Sequence, residues 1–297
     1  MRGIMDSLVI AKRDLIRALR QRSQLYGALV RPLLWLFLLG TGLRNGFTGL
    51  PLGVNLQQYT FPGIMAMNIL FSGVMSGASI IWDREFGFLK EVMIAPVSKE
   101  AIIGGKVLSG TMNATFQGLI VLALYPFLNL SLSLGQLGLI IMSVVIFALA
   151  ATSVGVLLAS KINSIEGFGT IQNFLVMPLF FLSGAMYPAT NIPDWLRYLV
   201  YLNPFTYGVE LLRGVVLNFT GDFFVNLAAL ILFILVIVMI TIHFFHREDK
   251  GVMIKPVQIP PSLGKGSLFG RKTTKAVDTE AREKTGMAAP QPQGISQ

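Results

Sequence analysis

The chain contains no cysteine. Disulfides, thiolate metal sites and cysteine nucleophiles are therefore excluded. It has only 2 histidines, His243 and His246, at the end of an apolar run, where interfacial placement suits them better than metal ligation. No metal site is expected. Charge is scarce too: 13% of the 297 residues, against roughly 25% in a soluble domain. Between Lys106 and Lys161 there is no Asp, Glu, Lys or Arg. Three catalytic signatures are also missing: Gly-x4-Gly-Lys-Ser/Thr, Gly-x-Ser-x-Gly and His-Glu-x-x-His. Their absence argues against phosphate-loop ATP hydrolysis, serine hydrolysis and zinc proteolysis by this chain.

What is present is apolar. Hydrophobic residues make up 53% of the sequence, and the mean hydropathy is +0.65. Runs beyond about 18 apolar residues mark candidate membrane spans. The ~10-residue alternating segments of a β-barrel are not visible. The expected fold is an all-α integral membrane protein. The net charge of +9 lies next to the apolar runs, so it reads as topology signal and lipid contact rather than nucleic-acid binding.

Along the chain, residues 6–24 read as an amphipathic helix at the membrane interface, with Arg13, Arg17 and Arg20 on one face and Leu8, Leu15 and Leu19 on another. The N-terminus has no uninterrupted apolar region of the signal-peptide kind. Six spans follow, at about 26–43, 62–82, 102–124, 137–160, 168–187 and 224–245. Arg31 sits early in the first, placed to snorkel to the headgroups. Residues 188–222 carry Pro188, Pro193, Pro204 and many aromatics, and are too interrupted for a clean span. They read as a pair of short helices that dip into the outer leaflet and return. Within the pair, Glu210 and Arg213 are spaced for a local ion pair. Residues 1–250 thus form one membrane domain. Residues 251–297 form a basic tail too poor in large apolar residues to bury a core, expected to be disordered.

Six spans put both termini on one side. Of the 24 Lys and Arg, only Arg44, Arg197 and Arg213 then fall on the other. The positive-inside rule makes both termini cytoplasmic, in a bacterial-type cell membrane. The stretch DREFGFLKEVMIAPVSKE, residues 83–100, is cytoplasmic by the same count. Residues 83–96 can form a short helix along the membrane, with Phe86, Leu89 and Met93 on one face and Arg84, Lys90 and Glu91 around the rest. Gly87 permits close approach, Pro96 stops the helix, and Ser98 can cap the next. Its mixed charge suits a protein partner as well as an interfacial loop. The polar residues within the spans are Asn68, Ser72, Asn113, Gln117, Gln172 and Asn173. They are candidates for a substrate path or dimer seam, or for hydrogen bonds between helices. Their lack of charge suits amphipathic cargo better than an ion.

Two runs carry a family resemblance. WDREFGFLKEVMIAPVSKEAIIGGK has the Arg84-Glu85 pair, Gly87, Leu89 and Pro96-x-Ser98 before Gly105-Lys106. FFLSGAMYPATNIPDWLRYLVYLNPFTYGVELLRG has Ser183-Gly184, Tyr187-Pro188, Pro193-x-Trp195, Asn203-Pro204 and Arg213-Gly214. Both resemble signatures of ABC-2 type permeases, nearest the daunorubicin-resistance and nodulation-export branch, over about residues 5–250. The resemblance implies a non-catalytic transport subunit of an ATP-driven exporter. Two copies, or one copy and a related permease, would work with two ATPase subunits that hold ATP and Mg, this chain binding no cofactor. Residues 84–98 would be the coupling helix, and 188–213, with Glu210, a re-entrant pair near the exit. The cargo would be amphipathic, lipid-like or drug-like, or glycan-linked. The alternative is a secondary transporter or channel, disfavoured by the few ionisable residues within the spans.

Overall fold

The computed structural model describes residues 2–20, 22–42, 54–86, 99–187, 192–218 and 222–248. The elements are α1 (Arg2–Arg20), α2 (Arg22–Gly42), α3 (Leu56–Ser76), α4 (Ala78–Glu85), α5 (Lys99–Leu122), a 3-10 turn (Tyr125–Leu128), α6 (Leu134–Lys161), α7 (Ile165–Phe181), α8 (Asp194–Leu202), α9 (Pro204–Val216) and α10 (Phe223–Glu248). No strand occurs among the described residues, so the all-α class holds. Gly87, Leu89, Lys90, Glu91, Met93, Pro96, Ser98 and Pro188 lie outside the described residues, as does the tail.

Local chemistry sets the boundaries. Ser133 and Gln136 form a reciprocal capping box that starts α6: Ser133 N–H donates to Gln136 Oε1 at 2.9 Å, and Gln136 N–H to Ser133 Oγ at 3.3 Å. Ser164 Oγ accepts from Gly167 N–H and opens α7. These caps place both helices three residues earlier than the apolar runs suggest, because hydropathy does not register the polar first turn.

At its far end α7 stops at Phe181, short of the predicted 187. Gly184 takes φ +67°, a left-handed conformation natural to glycine, and breaks the helix. The carbonyls left without helical partners are taken by side chains. Asn203 Nδ2 donates to Leu179 O at 2.6 Å, Ser183 Oγ to Phe180 O at 2.6 Å, and Tyr187 Oη to Phe181 O at 2.8 Å.

α3 and α4 are near-continuous, hitched at Gly77, where N–H bonds back to Val74 O at 3.1 Å. Asp83, Arg84 and Glu85 therefore form the last turn of a long helix. The sequence reading put them at the start of a separate one, since charge alone marks no helix boundary. Taken together, Leu56–Glu85 is long and apolar enough to cross a membrane, as are Leu134–Lys161 and Phe223–Phe244. In α2 only Leu29–Leu38 forms an apolar stretch. α5 is diluted by Lys106, Asn113 and Gln117, and α7 has 17 residues.

α3 packs on α5, α6 and α7; α6 also packs on α5, α9 and α10. The core includes Phe61, Phe147, Phe168, Phe180 and Phe205, all essentially inaccessible. Phe205 of α9 makes edge-on contacts with Phe147 of α6 at 5.9 Å and Phe233 of α10 at 5.7 Å. Where α3 meets α6, a side chain on Gly77 would overlap the Gly155 backbone, and one on Gly155 the Val74 backbone. Small residues give such helices their close approach.

Candidate functional site

α3 runs antiparallel to α5, and polar groups punctuate their shared seam from Asn68 to Asp83. Asn68 Nδ2 donates to Gln117 O at 3.2 Å, and Asn113 Nδ2 to Ser72 Oγ at 3.4 Å. One turn on, Ser76 faces Gly110, where a Cβ would strike the Ser76 hydroxyl. Beyond it, Lys106 Nζ meets Ser79 Oγ at 3.3 Å, Asp83 Oδ2 at 2.5 Å and, from α1, Asp14 Oδ2 at 2.6 Å. The spacing of roughly four residues on both helices keeps these groups on facing sides.

The charged end joins α1, α4 and α5. Lys106 is 3% exposed, Asp83 5% and Asp14 8%. Arg13 closes the network, with Nε and Nη2 on Asp14 Oδ1 at 2.9 and 2.7 Å and Nη2 on Asp83 Oδ2 at 2.8 Å. Burial disfavours the Arg13 charge, but the bonds and charges of Asp14 and Asp83 outweigh it and raise the pKa above its usual value. Arg17 lies 4.9 Å over the Trp82 ring and 3.9 Å from Asp83 Oδ1. Desolvating ions costs several kcal/mol each, and here every buried charge meets an opposite one.

Sequence reasoning named Arg13, Arg17 and Arg20 on α1 and missed Asp14, Asp83 and Lys106. The available signal was Lys106 itself. An ionisable residue inside an apolar helix implies a partner. On α1, Ala11 and Asp14 are buried against the protein, while Arg17 and Arg20 and, on the apolar side, Leu8, Val9 and Ile16 are exposed. Asp14 is buried because Lys106 of α5 and Arg13 supply its opposite charge.

Over the neutral part of the seam lies a cleft of about 440 Å³. All six polar span residues line it: Asn68, Ser72, Asn113, Gln117, Gln172 and Asn173. Gly27 and Arg31 of α2 form one wall and Gly169 of α7 part of another. Gln172 Nε2 donates to Phe71 O at 3.3 Å, so it also ties α7 to α3. Asn173 is exposed. Asn68, Ser72, Asn113 and Gln172 thus both line the cleft and bond between helices.

The 183–213 region forms a second polar node. Asn203 ends α8 and starts α9, accepting from Phe205 N–H at 3.1 Å, with Pro204 at the first helical position. Arg213 is 3% exposed. Its Nη1 meets Glu210 Oε1 at 2.5 Å, its Nη2 donates to Gly184 O at 2.9 Å and Ala185 O at 3.1 Å, and its guanidinium lies 4.2 Å over Tyr59. Arg213 thereby fixes α9 to the break after α7. Pro193 caps α8, whose Trp195, Tyr198 and Tyr201 are exposed. Of the coupling segment only Arg84, Glu85 and Phe86 are described. Arg84 Nη1 donates to Asn163 Oδ1 at 2.6 Å, and Phe86 is 78% exposed.

Residues 6–217 match the ABC-2 type transporter family. The chain belongs to that family. It is a multi-pass membrane permease subunit of an ABC transporter. It is 30% identical over 220 residues to the putative transport permease ycf38 of Cyanophora paradoxa, covering 71% of this chain and 73% of that protein. It is 29% identical over 164 residues to the probable multidrug ABC transporter permease YbhR of Escherichia coli, 54% of this chain and 44% of that one. It is 28% identical over 163 residues to the inner membrane transport permease YadH of Escherichia coli, 53% and 62% of the two chains. The matched segment takes in the α1 charges, the polar seam and both quoted signature runs, and ends just after α9.

Proposed function

We propose that this permease is the membrane half of an ATP-driven exporter for amphipathic, lipid-like or drug-like molecules, with glycan-linked lipids in the same class. The observation that carries the reading is the gathering of six uncharged polar side chains along one cleft, in a chain of this family. Uncharged amides and hydroxyls bind a polar head without the desolvation cost of fixed ions, and Phe71 and Met75 offer apolar surface beside them. Six spans with both termini in the cytoplasm, two ATPase copies holding ATP and Mg, and a second permease copy complete the reading. The name multidrug permease given to YbhR agrees with the cargo class.

In this reading residues 84–98 dock on the ATPase. Its described first residues, Arg84–Phe86, continue the long α3–α4 helix, and Asp83 locks that helix end to α1 and α5. A push on the segment is thus delivered to the base of the polar seam. α8 and α9 are the re-entrant pair, held to α7 by Asn203 and Arg213. A tagged chain should bring down an ATPase from its own cells, and Glu85→Lys or Gly87→Trp should abolish export while leaving the chain in the membrane. Normal docking and export by both variants would remove the coupling assignment. Transport that survives loss of the ATPase but collapses with the proton gradient would replace the exporter with a secondary transporter.

A further inference from the structure

The cleft over the polar seam carries a charge that the six neutral residues do not account for. Arg31 of α2 lines it, and is the one charged side chain among the lining residues described. Its guanidinium lies 5.2 Å over the Phe71 ring of α3, and the side chain is exposed. An arginine near a helix end can snorkel to the headgroups. Arg31 also lines the cleft, and among the described lining residues no carboxylate accompanies it. The ring engages only the face of the guanidinium, which leaves its in-plane N–H donors for an acceptor.

A smaller cavity of about 80 Å³ adjoins the cleft, sharing Met75, Ser76 and Asn113. It adds Arg17 and Asp14, and the Asp14 charge is taken by Lys106 and Arg13. Arg13, Arg17 and Lys106 stand against Asp14 and Asp83, so the described part of the track is net positive toward the α4 end, with both acids paired.

We propose that Arg31 makes the cleft a site for amphiphiles with a single anionic head, a phosphate or carboxylate, whose apolar part lies along Phe71 and Met75. The proposal rests on reading the cleft as the transport path, and it narrows the cargo class. Planar guanidinium groups pair with phosphate and carboxylate through two parallel hydrogen bonds. Asn113 and Asn173 are placed to bond further head atoms, and a cationic head is repelled.

The test uses the full chain in phosphatidylcholine nanodiscs, with protein-free discs as background. Radiolabelled dodecyl phosphate is compared with dodecyl maltoside and dodecyltrimethylammonium, which share its tail. Dodecyl phosphate should bind at least about tenfold tighter than the other two, a difference of about 1.4 kcal/mol. Arg31→Gln should remove the preference and Arg31→Lys should keep part of it, both variants melting with the parent chain. Equal affinity for all three heads, or a preference unchanged in Arg31→Gln, overturns the proposal. So does the absence of binding because a second copy fills the cleft. Replacing part of the phosphatidylcholine with phosphatidylglycerol separates the two sources of an anionic head. Competition assigns the site to bilayer lipid, and unchanged binding assigns it to a detachable cargo; both support an anion site at Arg31. An ATPase that copurifies with a chain indifferent to head charge would leave the exporter reading standing and sink this one. Arg31-dependent binding with no ATPase partner would do the reverse.

Discussion

At the scale of single residues, Lys106 has the most at stake. It is the buried cation between Asp14 and Asp83. Lys106→Met should destabilise the protein by about 3–5 kcal/mol, because it strips two buried carboxylates of their shared partner. Neutralising those carboxylates as well, in Lys106→Met with Asp14→Asn and Asp83→Asn, should recover most of the loss, since Arg13 is part-exposed and can be solvated. Thermal unfolding in detergent reads both, and a triple variant no better than the single one would show that the network is not what Lys106 stabilises. Arg213 makes a parallel case. Arg213→Met leaves Gly184 O and Ala185 O without their donor and Glu210 without its partner. The expected loss is about 1–3 kcal/mol, set by the unsatisfied carbonyls because Glu210 is part-exposed, with Arg213→Lys intermediate because an ammonium cannot span both carbonyls and the carboxylate. Protease accessibility near Gly184 should rise in step.

Between elements, the contact that decides the packing is α3 on α6. Gly155→Ala forces a methyl into the Val74 backbone, which has no rotamer by which to yield. A loss of about 1–3 kcal/mol is expected, as for other overpacked cores. Gly138→Ala on the same helix meets nothing within 4 Å. It should be neutral or stabilising by up to about 1 kcal/mol through helix propensity. Unfolding midpoints of the two variants should therefore move in opposite directions or differ clearly, and equal effects would place the α3–α6 contact elsewhere. The apolar run that contains both glycines reads as one uniform helix. What distinguishes them is the neighbour across the seam, and no local window contains it.

For the molecule as a whole, the arrangement in the membrane is open to a direct test, because the chain has no native cysteine to interfere. With six spans and cytoplasmic termini, Ser131→Cys in the link before α6 should label with an impermeant maleimide on intact cells. Glu166→Cys at the start of α7 should label only after permeabilisation. Labelling of both from the same side would rule out a membrane crossing by α6. That helix is among the three long and apolar enough to cross by composition. The spans that composition leaves short, α2, α5 and α7, are the ones that line the cleft together with α3. Polar and charged residues that line the cleft lower their hydropathy.

The sequence by itself determined the all-α class, the order of the described helices and the family, and placed several helix ends three to six residues off. Hydropathy, caps and glycine breaks are local signals, and each is complete within a few residues. It also picked out the six neutral polar residues, because a polar group in an apolar run stands out wherever it lies. Only the tertiary structure decided what those residues face. Asn68 meets the Gln117 backbone across 49 positions of chain, and Lys106 meets Asp14 across 92. Asp14 and Arg13 of α1 find Asp83 and Lys106 only once α4 and α5 pack beside it. Long-range pairing of charges depends on which helices become neighbours, and that is fixed by the close glycine contacts and aromatic packing of the assembled bundle.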